Sequence, residues 1–106
     1  MGLIVMVLTI FRSRLRPEHL EEYSHWAERI HELATRQPGF VSIKSYVAEE
    51  GERVSIVEFD SEATHAAWRN HPEHLQAQEL GRQRFYAEYR IQVCTVLRDY
   101  AYRASA

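Results

Sequence analysis

The first strand that we predict for this chain is apolar on both of its sides. Residues 3–10 are almost uniformly apolar, and alternation with polar residues begins only at Phe11. Successive side chains of a strand point to opposite faces of a sheet, so a strand over Leu3–Leu15 must be covered on both faces. A chain of 106 residues holds one domain with a modest core of its own. We therefore expect a second chain to cover the second face.

Between this strand and the C-terminus, the sequence predicts three more strands and two helical regions. Pro17 is expected at the first position of a helix, where its missing N–H costs nothing, and Pro38-Gly39 is expected to end that helix. The three strands are recognised by their alternating β-branched and aromatic residues, and they span Phe40–Ala48, Arg53–Phe59 and Tyr89–Tyr100.

The second helical region is predicted in two pieces. The first piece begins after Ser61, whose hydroxyl can accept a hydrogen bond from a free helix amide. The second piece runs from Pro72 to about Arg84. The tetrapeptide Pro-Glu-His-Leu occurs at 17–20 and again at 72–75, and Pro followed by an acid is typical of a first helical turn. The repeat supports a helix start at each place.

The resulting order is β-α-β-β-α-β, which predicts an α+β fold of the ferredoxin-like type with a four-stranded antiparallel sheet. A single domain is expected over residues 1–100, followed by a short tail over 101–106. Helices on one side of such a sheet leave its other side open. Two of these sheets meeting face to face would close an eight-stranded dimeric α+β barrel, so we expect a homodimer.

Charge and composition exclude several classes of protein. The formal net charge is −2, and the charged residues do not form the basic stripe that binding to nucleic acid requires. Residues 1–10 lack the features of a signal peptide and are far shorter than the roughly 20 residues of a bilayer span. Cys94 is the only cysteine, which excludes an internal disulfide. We expect a cytoplasmic protein with neither nucleic acid nor a membrane as its partner.

Two histidines are the clearest candidates for chemistry. His71 and His74 lie three residues apart at a predicted helix start, so they can share one side of a turn and ligate a metal or hold an acidic substrate. A third ligand is not evident nearby, and no metal site is assigned. The alternative is that His71 caps the helix and that His74 is half-buried or at the surface.

Two aromatic residues each have two possible roles. Trp68 would either stack on a flat ligand or anchor the core beneath the broken helix. Tyr23 lies on the predicted inner face of the first helix, where packing in the core is favoured, although its hydroxyl could point into a cavity. The aromatic and basic cluster at residues 82–90 suits a dimer contact or a pocket rim.

The segment from Phe59 to His74, with its Trp68 and its His-Pro-Glu-His ending, resembles the antibiotic biosynthesis monooxygenase superfamily of dimeric α+β barrels. The Pro-Gly-Phe-Val turn at 38–41 and the order of the elements extend the resemblance over nearly the whole chain. Members include cofactor-free oxygenases that convert aromatic polyketides to quinones, and oxygenases that degrade haem.

Two departures from those enzymes are visible. Ser55 and Phe59 stand where the quinone-forming enzymes have Asn and Trp, and Gln78 stands where the haem-degrading enzymes have their haem-ligating His. Neither set of functional residues is therefore complete in this chain. Membership of such a family predicts the fold of a chain more securely than its chemistry.

The resemblance implies a cofactor-independent monooxygenase that acts on an aromatic or quinone-like small molecule. The substrate would lie between the sheet and the helices, with His74 as base or hydrogen-bond donor and with Trp68, Tyr23, Phe59 and His71 around it. The alternative is a dimeric barrel that binds haem or another ligand without oxygenase activity, with His71 or His74 on the haem iron. A non-catalytic dimer with a collapsed core is the third possibility.

Overall fold

The computed structural model describes residues 5–105, and the order of its elements confirms the predicted fold. Leu3 and Ile4 of the predicted first strand, and Ala106 of the tail, lie outside the described residues. The described elements are β1 Val7–Leu15, α1 Leu20–Thr35, β2 Phe40–Val47, β3 Arg53–Phe59, α2 Glu62–Arg69, α3 Pro72–Leu80, a π-helical turn Gly81–Phe85, and β4 Tyr86–Thr95.

The four strands form one sheet in the order β2-β3-β1-β4, and every neighbouring pair is antiparallel. The apolar strand β1 therefore lies in the interior of the sheet. Residues paired across the strands form rows on the side of the sheet that faces the helices. The first row is Val93, Thr9, Val57 and Ile43; the second is Ile91, Phe11, Ser55 and Ser45; the third is Tyr89, Ser13, Arg53 and Val47.

The core lies between one end of the sheet and the helices α1 and α2. Leu33, Ala34, Phe59 and Trp68 are buried together there, and Phe40 packs against them. Phe40 reaches this cluster because a β-bulge interrupts the pairing of β2 with β3 just after it. Val41 is the unpaired residue of this bulge, and the bulge keeps Phe40 on the helix-facing side, where strict alternation along β2 would not place it.

The predicted boundaries of α1 and β4 differ from the structure by three residues or more. Helix α1 begins at Leu20 and not at Pro17, because His19 has a left-handed backbone conformation with φ of 62° and the residues before it form a turn. Strand β4 begins at Tyr86 and ends at Thr95, earlier at both ends than predicted, because the π-helical turn stops at Phe85. Residues 96–105 contain no further helix or strand.

The three helices lie on the side of the sheet that carries the rows. The other side bears the alternate residues of the strands, with Leu8, Ile10, Val54 and Ile56 at its centre. These four side chains are only half-buried in a single chain. Among the described residues, none of the helices combines the length and the apolar character that a membrane crossing requires.

Candidate functional site

A cleft of about 970 Å³ lies between the helices and the rows of the sheet. Its size is in the range of sites that enclose a drug-sized ligand. Residues from all four strands, all three helices and the π-helical turn line it. Seven aromatic side chains line it, and they are Phe11, Tyr23, Trp26, Trp68, Phe85, Tyr86 and Tyr89.

The π-helical turn shapes one end of this cleft. Phe85 is buried, and its ring meets that of Tyr23 edge to face, with the centroids 5.7 Å apart. Gly81 allows the following strand to close against the turn, because a Cβ atom at this position would lie 2.5 Å from Cε2 of Tyr86. Burial and the neighbouring Tyr23 raise the pKa of Tyr86, so its phenol is protonated at neutral pH.

At the other end, the imidazole of His74 stacks on the indole of Trp68. The ring centroids are 4.3 Å apart and the planes differ by 12°. Nδ1 of His74 lies 3.2 Å from the backbone carbonyl oxygen of Trp68. Because a carbonyl oxygen only accepts hydrogen bonds, Nδ1 carries the proton in the neutral ring and Nε2 keeps a lone pair.

The surroundings of His74 favour this neutral form. Burial is the main cause that lowers the pKa of His74, and the nearby His71 and His65 lower it further, whereas the Trp68 carbonyl opposes the shift. Nε2 makes no hydrogen bond to any residue between 5 and 105. The residue therefore presents an unprotonated nitrogen to an aromatic cleft at neutral pH, as a general base requires.

His65 is a second imidazole at the same end, and the sequence did not single it out. The side chain is 3% exposed, and Nε2 is hydrogen-bonded to Oγ1 of Thr9 in the first row. Nδ1 is buried without a partner among the described residues. Burial is also the main cause that lowers the pKa of His65. Its position three residues before Trp68, on the same face of α2, is the signal that could have pointed to it.

Arg53 is a further cleft residue that the sequence did not single out. It lies in the third row, at the end of the cleft away from Thr9, and its guanidinium carbon is 5.6 Å from the centre of the Tyr23 ring. In the described part of the chain, no carboxylate oxygen lies within 4.0 Å of this guanidinium. The cleft therefore has imidazoles at one end and a half-buried, unpaired cation at the other, while Arg69, which is close enough to His65 to lower the pKa of that imidazole, is exposed.

The structure brings three of the five predicted site residues to the cleft wall: Tyr23, Trp68 and His74. Phe59 is fully buried and packs edge to face against Phe40 and His65, so it supports the site from the core and has no surface for a ligand. His71 does not line the cleft. Its Nδ1 accepts a hydrogen bond from the Glu73 amide at 3.1 Å and caps α3, which is the alternative raised from the sequence.

The chemistry available in the cleft is that of imidazole, phenol and guanidinium groups. Between residues 5 and 105, no group of three or more His, Cys, Asp or Glu side chains could hold a metal ion. The lone thiol, Cys94, pairs with Leu8 across β1 and β4, outside the rows that form the floor.

Comparison with known proteins gives consistent results. The sequence profile of the family described as antibiotic biosynthesis monooxygenase matches residues 6–80. The uncharacterized protein YqjZ of Bacillus subtilis is 34% identical over 87 residues, which are 82% of this chain and 76% of YqjZ.

Solved structures share the fold at low sequence identity. Rv0793 from Mycobacterium tuberculosis superimposes with a TM-score of 0.80 at 18% identity, covering 91% of this chain and 99% of that protein. SnoaB, a cofactor-independent oxygenase from Streptomyces nogalater, gives a TM-score of 0.75 at 17% identity and covers 89% and 95% of the two chains.

Proposed function

This chain belongs to the antibiotic biosynthesis monooxygenase family, and on that premise we propose that it is a monooxygenase acting on an aromatic or quinone-like small molecule without a tightly bound cofactor. The substrate would occupy the cleft between the helices and the rows of the sheet. The observation that carries this proposal is the free Nε2 of His74 in a cleft walled by aromatic rings.

The proposed reaction begins with proton transfer. Nε2 of His74 accepts a proton from an activated C–H of a ring methylene next to a carbonyl, and the resulting carbanion is delocalised over the rings. Stacking on Trp68 fixes the orientation of the imidazole before the transfer. The depressed pKa of His74 keeps its base form available at neutral pH.

Molecular oxygen is the oxidant in the next step. The carbanion gives electrons to O₂ and forms a C–O bond, and the imidazolium of His74 returns its proton to the distal oxygen, which yields a hydroperoxide. Nε2 of His74 then accepts the second C–H proton as the O–O bond breaks and the carbonyl forms, and it passes this proton to the departing hydroxide to release water. The balance is CH₂ + O₂ → C=O + H₂O.

Oxygen consumption tests the proposal. An oxygen electrode would follow the purified protein with a panel of anthrones and hydroquinones, and the absorbance of the quinone product would be recorded in parallel. We expect uptake above the buffer rate for at least one three-ring substrate, with one O₂ consumed for each quinone formed. A folded protein that gives no turnover with any member of the panel would contradict the proposed activity.

A second candidate function is haem binding. A neutral imidazole with a free Nε2 in a large cleft also suits ligation of haem iron, and Gln78 lines the cleft at the position where the haem-degrading enzymes have their ligand. Titration with haemin distinguishes the two functions. A Soret shift that disappears in the His74→Ala variant supports haem binding, whereas no shift, or one that survives replacement of both His71 and His74, eliminates it.

The homodimer and the cytoplasmic location belong to the same proposal. The half-buried apolar centre of the open sheet face, formed by Leu8, Ile10, Val54 and Ile56, supports pairing with a second sheet. Sedimentation equilibrium should give twice the mass of one chain, and Ile56→Lys should shift the equilibrium towards one chain. A wild-type protein that sediments as a single chain at high concentration would contradict the dimer.

A further inference from the structure

We propose that the cleft selects aromatic carboxylates, with the carboxylate bound by Arg53 and the ring system extending towards His74. The proposal names the substrate class of the site described above and rests on the proposed function for the reacting end. The binding of the carboxylate itself depends only on Arg53 and its surroundings.

Arg53 is a half-buried cation without a carboxylate partner among the described residues. Its side chain is half-buried on the cleft side of β3, where a cation costs free energy unless an anion compensates it. Six other arginines have a carboxylate partner within 4.0 Å, and they are Arg12, Arg14, Arg29, Arg36, Arg82 and Arg84. Two cleft arginines, Arg53 and Arg69, have none in the described part of the chain, and of these two only Arg53 is half-buried, whereas Arg69 is exposed. A bound carboxylate would supply the missing charge.

The acids that line the cleft are exposed and do not pair with Arg53. Glu28 and Glu32 of α1 line the cleft but are exposed, and Glu32 is paired with Arg36 at 2.7 Å. Arg82, another cleft cation, is held by Glu79. The contact of Arg53 with the Tyr23 ring leaves its N–H donors free for a ligand, and the planar guanidinium matches a carboxylate with two parallel hydrogen bonds.

The two ends of the cleft floor lie far enough apart for a ligand of several fused rings. His65 is bonded to Thr9 in the first row, and Arg53 pairs with Ser13 in the third row. Ser13 follows Thr9 by four positions of extended strand, or about 14 Å at 3.4 Å for each step. The second row between them carries Phe11 and Ile91 beside Ser55 and Ser45, whose hydroxyls are hydrogen-bonded to each other at 2.7 Å. A ligand with several fused rings and a terminal carboxylate fits this floor, with its rings over Phe11 and Ile91 and its carboxylate at Arg53.

The test compares two probes of the same shape. Anthraquinone-2-carboxylate and anthraquinone-2-carboxamide would be titrated against the intact protein, with quenching of tryptophan fluorescence as the readout, since Trp26 and Trp68 both line the cleft. We expect the carboxylate to bind at least tenfold more tightly than the amide, with the preference decreasing as salt is added. Equal dissociation constants, or no binding of either probe, would overturn the proposal.

Variants of the arginines locate the effect. Arg53→Gln and Arg53→Met should bind both probes equally, and Arg53→Lys should keep part of the preference. Arg84→Gln, outside the cleft, should behave as wild type. If Arg69→Gln no longer prefers the carboxylate probe while both neutral Arg53 variants still do, the carboxylate is bound by Arg69 and the proposal is overturned. Thermal melts would verify the fold of each variant. Two different neutral replacements of Arg53 are used so that the test can still be made if one of them does not fold.

Binding and turnover fail separately in this design. If the carboxylate is preferred through Arg53 but no substrate consumes oxygen, the proposed activity is wrong and the anion site stands. If oxygen is consumed but neutral and anionic substrates are bound alike, the anion site is wrong and the activity stands.

Discussion

The tetrapeptide Pro-Glu-His-Leu occurs twice in this chain and folds differently each time. At 72–75, Pro72 is the first residue of α3 and the histidine lies within the first helical turn. At 17–20, the first three residues form a turn, and α1 begins only at the leucine. Identical local sequence therefore does not decide where a helix begins.

The residue before each copy accounts for part of the difference. His71 accepts a hydrogen bond from the amide of Glu73 through its side chain, so the helix is capped at the residue before the proline. Arg16 instead donates its backbone amide to the Phe85 carbonyl at 2.8 Å and its Nε to the Tyr86 carbonyl at 3.0 Å. These contacts hold the first copy to the end of the π-helical turn before the chain enters α1.

The two histidines consequently have different surroundings. His19 is exposed, with Nδ1 3.8 Å from a carboxylate oxygen of Glu22, and its backbone is left-handed. His74 is half-buried and stacked on Trp68 at the cleft. The helix cap and the long-range contacts, more than the tetrapeptide itself, therefore place His74 at the cleft and leave His19 at the surface.

The largest expected contrast is in catalysis. His74→Ala should lower the rate of oxygen consumption by about 10²-fold or more, the usual contribution of a general base, because the proton acceptor is removed. His19→Ala should turn over as wild type. The oxygen electrode measures these rates directly. Equal rates for wild type and both variants would show that His74 is not the general base.

The same substitution should change stability in opposite directions in the two copies. His74→Gly should lower the free energy of unfolding by about 1–2 kcal/mol, since glycine weakens a helix interior and the stack on Trp68 is lost. His19→Gly should raise it by about 0.5 kcal/mol, because the left-handed conformation strains a residue with a Cβ. Urea unfolding at one fixed protein concentration measures both, and a loss at His19 would refute the strain argument.

Removing the cap should have a smaller effect. His71→Ala should cost about 1 kcal/mol of unfolding free energy, as for other N-cap residues replaced by alanine. His71→Asn is the matched control, because asparagine caps helices well and should restore most of the loss. If both variants lose the same amount, the contribution of His71 comes from something other than the hydrogen bond to Glu73.

The finest contrast is in the pH dependence of stability. The pKa of His74 is depressed below its ordinary value of 6.5 in the folded chain. The unfolded chain therefore takes up a proton first as the pH falls below about 6.5, and stability decreases from there through the folded pKa. The decrease should be shallower in His74→Gln, with His19→Gln as the control for the exposed copy. An identical slope in wild type and His74→Gln would contradict the depressed pKa.

Local signals were sufficient for much of the fold. The bounds of β3 are as predicted, and the Ser61 cap of α2 and the start of α3 at Pro72 are confirmed because each depends on neighbours in sequence. The start of α1 was wrong because it depends on Arg16 contacting a carbonyl some 70 residues away. The start of β4 was wrong because no local pattern marks a π-helical turn.

Part of the candidate site could likewise be predicted from the sequence, and part could not. Helical spacing and the resemblance identified Trp68 and His74, which the structure brings to one cleft. Arg53 was missed because its place in the cleft depends on the pairing of β3 with Ser13 of β1, which a single sequence does not reveal. His65 was missed because its contact with Thr9 joins α2 to β1, although its helical spacing from Trp68 could have pointed to it. Phe59 was expected beside a ligand, but the bulge that brings Phe40 against it seals it in the core.

The bulge at the start of β2 lies between a part of the strand that packs in the core and a part that lines the cleft. Phe40, before the bulge, packs against the buried cluster, and Ile43 and Ser45, after it, lie in the rows that form the cleft floor. Deleting Val41 would remove the bulge and still leave Phe40 opposite Phe59 and Ile43 opposite Val57, so both sets would stay on the helix-facing side. The bulge therefore adds a local bend and twist to the strand between the core and the cleft floor, and neither set of side chains depends on it for its side of the sheet.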